Sequence, residues 1–144
     1  MQELQDITYV DVTSMRQPWS GLLAQGHISI VMRGRTTYHR GEIYIHAPSL
    51  TSDRYTFVHD GLGERALDPL TMARRGGVVG KARLIGMKRY KLESEWRSDA
   101  MLHRRHMSEY RYNTLAWLFS NMELVPFMFM PGGLGVFKRE LRDQ

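Results

Sequence analysis

The sequence predicts an α+β fold: a small mixed β-barrel of five to six strands, with one early helix and one later short helix. Three observations lead there. Alternating stretches rich in β-branched and aromatic residues recur at short intervals, divided by turns that carry glycine or proline. A single short apolar stripe at helical spacing follows the first of them. The regular strand–helix alternation of a parallel βαβ sheet is missing, which favours a small barrel.

ITYVDVT (7 to 13) alternates and opens the chain as a strand. A helix is expected from Pro18 to Gln25, because proline suits a first helical turn and Gly26 supplies a left-handed stop. Trp19, Leu22 and Leu23 fall at i, i+3 and i+4 and give that helix one apolar stripe. GHISIVMRGR (26 to 35) reads as a half-buried strand. Parity sends Ile28, Ile30 and Met32 to the core, and His27, Ser29, Val31, Arg33 and Arg35 to the opposite face. RGEIYIHA (40 to 47) alternates again, with Ile43 and Ile45 opposite Glu42, Tyr44 and His46.

Residues 48 to 76 show no sustained period and read as a long loop with a helical turn. GGVVGKARLIGMKRY (76 to 90) is a strand entered through glycines, and a short helix is expected near residues 98 to 107. NTLAWLFSNMELV (113 to 125) is a strand candidate that periodicity alone does not separate from a helix; Pro126 is expected to end it. PGG turns, and LGVFK (134 to 138) closes the set. Met122, Phe127, Met128, Phe129 and Met130 read chiefly as barrel filling, with an adaptable interaction surface as the alternative.

With 144 residues, 42% of them apolar and 24% charged, the chain reads as one globular domain over residues 1 to 144. No apolar run reaches the length a membrane helix needs, so no membrane partner is expected. The acidic start MQELQD lacks a secretory pattern, and the absence of cysteine suits a reducing compartment; a cytoplasmic location is the expectation. A monomer or weak homodimer is expected.

The formal net charge is +5, and its distribution is uneven. Between Pro69 and Leu92 there is no acid, but Arg74, Arg75, Lys81, Arg83, Lys88, Arg89 and Lys91 are all basic. Arg33, Arg35 and Arg40 form a second cluster. Patches of one sign attract polyanions, nucleic acid first among them.

Catalytic and metal patterns are sparse. His103 and His106 stand at i, i+3 but fit a solvated basic face better than a metal site, and no HExxH, GxSxG or Walker loop is present. No metal and no cofactor is expected.

QPWSGLLAQGHISIVMRGRTTYHRGEIYIHAPS resembles the start of an ASCH domain, of the PUA-like β-barrel superfamily. The resemblance rests on Pro18-Trp19, on Gly26 and Arg33 within a GxKxxExR pattern, and on Arg40-Gly41 leading to IHAPS. GGVVGKARLIG and AWLFSNMELVPFMFMPGGLGVFK resemble later strands of that family. The resemblance implies a PUA-like barrel with a cleft between the first helix and the opening strand. Some relatives hydrolyse acetylated cytidine or cut RNA, using the lysine of that pattern, a hydroxyl or acid on the same strand and a later glutamate.

Here the lysine and acid positions hold Ile28 and Val31. An isoleucine neither steadies an oxyanion nor moves a proton, so catalysis along that route is not expected. Glu93, Glu95 and Glu109 are candidates for the late acid, and Lys81 for a relocated lysine, against a plain surface role. The expectation is a binding module for nucleic acid, RNA foremost, or for a nucleotide. Its candidate ligand residues are Trp19, His27, Ser29, Arg33, Arg35, Arg40, His46, Ser49 and Lys81, with a basic flank of Arg74, Arg75, Lys88, Arg89 and Lys91. Trp19 is equally a core anchor, and Arg33 equally a brace. Tyr38, Tyr55 and Tyr90 add stacking faces. A hydrolase of RNA or nucleosides with reassigned residues is the alternative.

Overall fold

A computed structural model of the chain describes residues 8–50, 70 and 73–141. Six strands form one mixed sheet: β1 (Thr8–Ser14), β2 (Ile30–Met32), β3 (Gly41–Ala47), β4 (Gly77–Tyr90), β5 (Thr114–Phe129) and β6 (Val136–Leu141). Their order is β2-β5-β4-β3-β1-β6. β1 runs parallel to β3, and every other pairing is antiparallel. The helices are α1 (Trp19–Ala24), α2 (Glu93–Ser98) and α3 (Ala100–His103), followed by a 3-10 turn at Met107–Glu109.

α1 is one residue shorter at each end than expected, with Pro18 and Gln25 as its caps, and Gly26 is left-handed at φ 79° just beyond it as predicted. Its surroundings differ from the prediction. All six residues are buried, not one stripe, because α1 plugs the barrel. Gly80 of β4 makes room for it: a Cβ there would lie 2.4 Å from the Cβ of Ala24. Trp19, Leu22, Leu23, Ile43, Ile45, Val79, Leu84 and Trp117 form the main core around this plug.

The opening stretch is a strand only over Ile30–Met32, and this corrects the parity reading. Ile28 and Val31 both enter the main core, at 1% and 3% exposure, while Ile30 and Met32 face a second cluster with Tyr90, Trp96 and Ala116. Both faces of β2 are covered because α2 and α3 lie over that end of the sheet and bring Trp96 to it. β5 follows the same pattern. Leu115, Trp117 and Phe119 turn to the main core, and Ala116 and Leu118 to the second, which is why its start is evenly apolar in sequence.

Two further boundaries move. The helical segment begins at Glu93 instead of near residue 98, and it breaks at Asp99. Asp99 accepts hydrogen bonds from Lys88 Nζ at 2.5 Å and Tyr90 Oη at 2.7 Å. β5 continues through Pro126 to Phe129. The ladder with β4 steps from Val78↔Met128 to Gly80↔Leu124, so Pro126 sits in a bulge where its missing N–H breaks no regular pair. β3 is irregular at the same level, between Ile45 and His46, and His46 is buried on the side that alternation assigned to solvent. The last strand begins two residues later than expected, at Val136.

Side chains connect the two ends of the sheet. Arg33, just after β2, donates Nη2 to Thr13 Oγ1 of β1 at 2.9 Å, and Thr13 donates to the Gly135 carbonyl ahead of β6 at 2.8 Å. Trp117 donates Nε1 to the Arg35 carbonyl at 3.0 Å. No helix among the described residues is long and apolar enough to cross a membrane.

Candidate functional site

Beyond the irregular stretch, where β3, β4 and β5 end, lies a cleft of about 550 Å³. It is lined by His46, Pro48, Ser49 and Gly76 on one side, and by Phe129, Met130, Pro131 and Gly132 on the other. Phe129 is 80% exposed and packs edge-on against Phe127, their centroids 4.9 Å apart. Arg74 holds its guanidinium 5.7 Å from the Phe127 ring, and Arg75 is exposed next to Gly76. From the other wall, Arg139 donates Nε to the Pro131 carbonyl and Nη2 to the Gly132 carbonyl.

His46 is 2% exposed and ties the walls together. Its Nε2 lies 2.7 Å from the Met130 carbonyl and its Nδ1 3.0 Å from Ser14 Oγ. Burial lowers its pKa first, the bond to Met130 opposes that, and the charge of Arg139 lowers it further. The imidazole is therefore neutral at pH 7.

Of the residues predicted from sequence, His46 and Ser49 meet in this cleft, with Arg74 and Arg75 at its margin. Arg33 and Arg35 lie along the segment that leaves it. A Cβ on Gly135 would sit 3.4 Å from Arg35 Cδ, and Arg33 reaches Gly135 through Thr13. Arg33 also stacks 4.8 Å from the Trp117 ring centroid. Burial, then the charge of Arg35, lowers its pKa to about 10. Arg33 braces the barrel and stays cationic at neutral pH.

The other predicted residues sit elsewhere. Trp19 is in the core, with Arg105 3.9 Å over its ring. Ile28 and Val31 fill the space beside α1 with hydrocarbon, where a polar cleft was expected. His27 donates its backbone N–H to Leu22, and Ser29 links its backbone to Leu102 and Phe119. Arg40 folds back onto the carbonyls of Thr37 and His39. Lys81 stands in a separate hollow of about 240 Å³, 3.1 Å from Glu123 and 3.7 Å from Glu42. The hydrogen bond to Glu123 and the charge of Glu42 raise its pKa, the opposite of what a base or nucleophile needs.

The basic flank, contiguous in sequence, divides in space. Arg74 and Arg75 stand at the cleft, but Lys88 and Arg89 lie near the far end of β4 and Lys91 just past it. Lys88 is paired with Asp99, Arg89 donates to the Asn113 carbonyl, and Lys91 is exposed. Tyr90 is buried and offers no stacking face, Tyr38 is fully exposed, and Tyr55 lies outside the described residues.

The candidate late acids are all engaged. Glu95 accepts the backbone N–H of Leu92 and of Lys91, Glu93 pairs with Arg97, and Glu109 pairs with Arg105. His103 is buried rather than solvated: Nε2 meets the Trp96 carbonyl and Nδ1 accepts the Arg105 N–H. Sequence reasoning missed Ser14 and Arg139 at the cleft, and Phe129, read chiefly as barrel filling, is exposed on its wall. Phe129 had one readable sign, its place beyond a proline at the end of a strand.

No protein-family model matches the sequence, and no curated protein matches it. Solved structures do. The crystal structure of ASCH from Zymomonas mobilis matches with a TM-score of 0.57 at 14% identity, over 92% of this chain and 87% of that one. A tyrosine-to-phenylalanine and a serine-to-alanine mutant of that protein match with a TM-score of 0.55, again at 14% identity and 92% of this chain, over 89% and 87% of theirs. The chain thus shares the fold of that ASCH protein, on a largely different sequence.

Proposed function

We propose that this protein binds single-stranded nucleic acid, RNA foremost, with the cleft at the ends of β3, β4 and β5. One observation carries the reading: an open hollow large enough for a base has an exposed aromatic ring, Phe129, on one wall, with Arg74 and Arg75 beside it. A ring face stacks any base, and arginine forks take backbone phosphates. Arg35 and Arg139 extend the positive charge along the 130–135 segment. The lysine-and-acid route of ASCH hydrolases has no counterpart at Ile28 and Val31, both core residues, so this reading is of binding without that chemistry.

Fluorescence anisotropy with a labelled single-stranded RNA tests it. Affinity should fall steeply between about 50 and 200 mM salt, and Arg75→Ala should flatten the log–log slope by about 0.7 for each phosphate left unneutralised. Phe129→Ala should weaken binding by about 1–3 kcal/mol. Binding indifferent to salt, or equal in both variants, would overturn the reading; DNA of the same sequence as competitor measures the preference for RNA.

A further inference from the structure

The hydrogen bonds of His46 fix its tautomer. The Met130 carbonyl can only accept, so Nε2 carries the proton and Nδ1 presents its lone pair. Ser14 Oγ, 3.0 Å away, then donates its proton to Nδ1. A hydroxyl aimed at a neutral imidazole, with the far nitrogen held by a third group, is the arrangement that activates a serine. Both residues are positioned by strand backbone, since Ser14 and His46 are partners across the parallel β1–β3 pair.

The surroundings are shaped around the pair. A Cβ on Gly132 would stand 3.0 Å from His46 Cε1 and 3.2 Å from Ser14 Oγ, so glycine lets the chain pass directly against both. His46 and Gly132 also line the cleft, whose remaining walls include the apolar Pro48, Phe129, Met130 and Pro131. Such walls suit a short acyl or aryl group. Burial keeps His46 neutral, the form a base must have.

We propose that Ser14 and His46 form an acyl-transfer site, nucleophile and general base, for small carboxylic esters. Ser14 Oγ bonds to the ester carbonyl carbon as its proton passes to His46 Nδ1, and the carbonyl π pair moves onto oxygen. Collapse re-forms the carbonyl and breaks the bond to the alcohol oxygen, which leaves with the proton from Nδ1. Water then attacks the acyl-Ser14 ester, gives a proton to Nδ1, and Ser14 Oγ recovers it as the acid departs. The sum is ester plus water to acid plus alcohol, with no oxidant, metal or lysine required.

A tagged fluorophosphonate and p-nitrophenyl acetate test this on the full chain. Peptide mass spectrometry of the labelled wild type should place one adduct, on Ser14. Ser14→Ala should lose the adduct and reduce ester turnover at least about 100-fold, toward the uncatalysed rate. No adduct on folded wild-type protein, or an adduct mapped to another residue, overturns the assignment without recourse to any variant.

Discussion

At the scale of single residues, the fold depends on where a side chain is absent. Gly80→Ala would put a methyl group 2.4 Å from Ala24 Cβ and 2.7 Å from the Glu123 carbonyl, both on firm neighbours. It should destabilise the protein by about 1–3 kcal/mol, read from the midpoint of urea unfolding. Arg33 shows what the sequence discloses and what it withholds. A part as a brace was legible, although the residue lies just past β2 and turns onto Trp117 instead of outward. Its partner Thr13 was not, because β1 and β2 meet only when the sheet curls, and no local pattern encodes that. Arg33→Met should cost about 1–2 kcal/mol through Thr13 and the missing stack on Trp117. The same limit hid Ser14: its chemistry comes from a histidine 32 positions away.

Among the elements, the strands with clear alternation were placed within a residue or two, and the failures share one cause. Where a sheet bends or is covered on both faces, neighbours override period. Val31 left the polar face once β2 shrank to three residues, and His46 kept its face but is covered there by the 130–132 segment. α2 and α3 were misplaced because their join is set by β4, through Lys88 and Tyr90 on Asp99. Burial alone would raise the Asp99 pKa, yet these two bonds and the charge of Lys88 hold it low. Asp99→Ala leaves the hydroxyl of a buried tyrosine without its acceptor and should cost about 1–3 kcal/mol. In a double-mutant cycle with Tyr90→Phe, the second change should cost clearly less once Asp99 is gone.

At the scale of the whole molecule, two buried histidines among the described residues act on acid stability. His46 and His103 are both held below the ordinary 6.5 mainly by burial. Their folded pKa values lie under the unfolded ones, so the unfolded chain takes up protons first as pH falls. Their contribution is complete above about pH 6.5 and is lost as pH drops through the folded values. Urea midpoints should be level from pH 8 to 7 and decline from 6.5 downward, with Asp99 adding a second loss further into acid. His46→Gln, if it folds, should remove part of the first decline.

The pairing of β1 with β6, from Thr8↔Leu141 to Thr13↔Val136, has a consequence for how the protein is made. β1 has no antiparallel neighbour until β6, more than a hundred residues later, has been made. β6 also carries Arg139, the clamp on one wall of the cleft. A nascent chain halted before residue 136 would hold most of its hydrocarbon core and no finished pocket. Ligand capture should therefore begin only once β6 has been added, late and all at once.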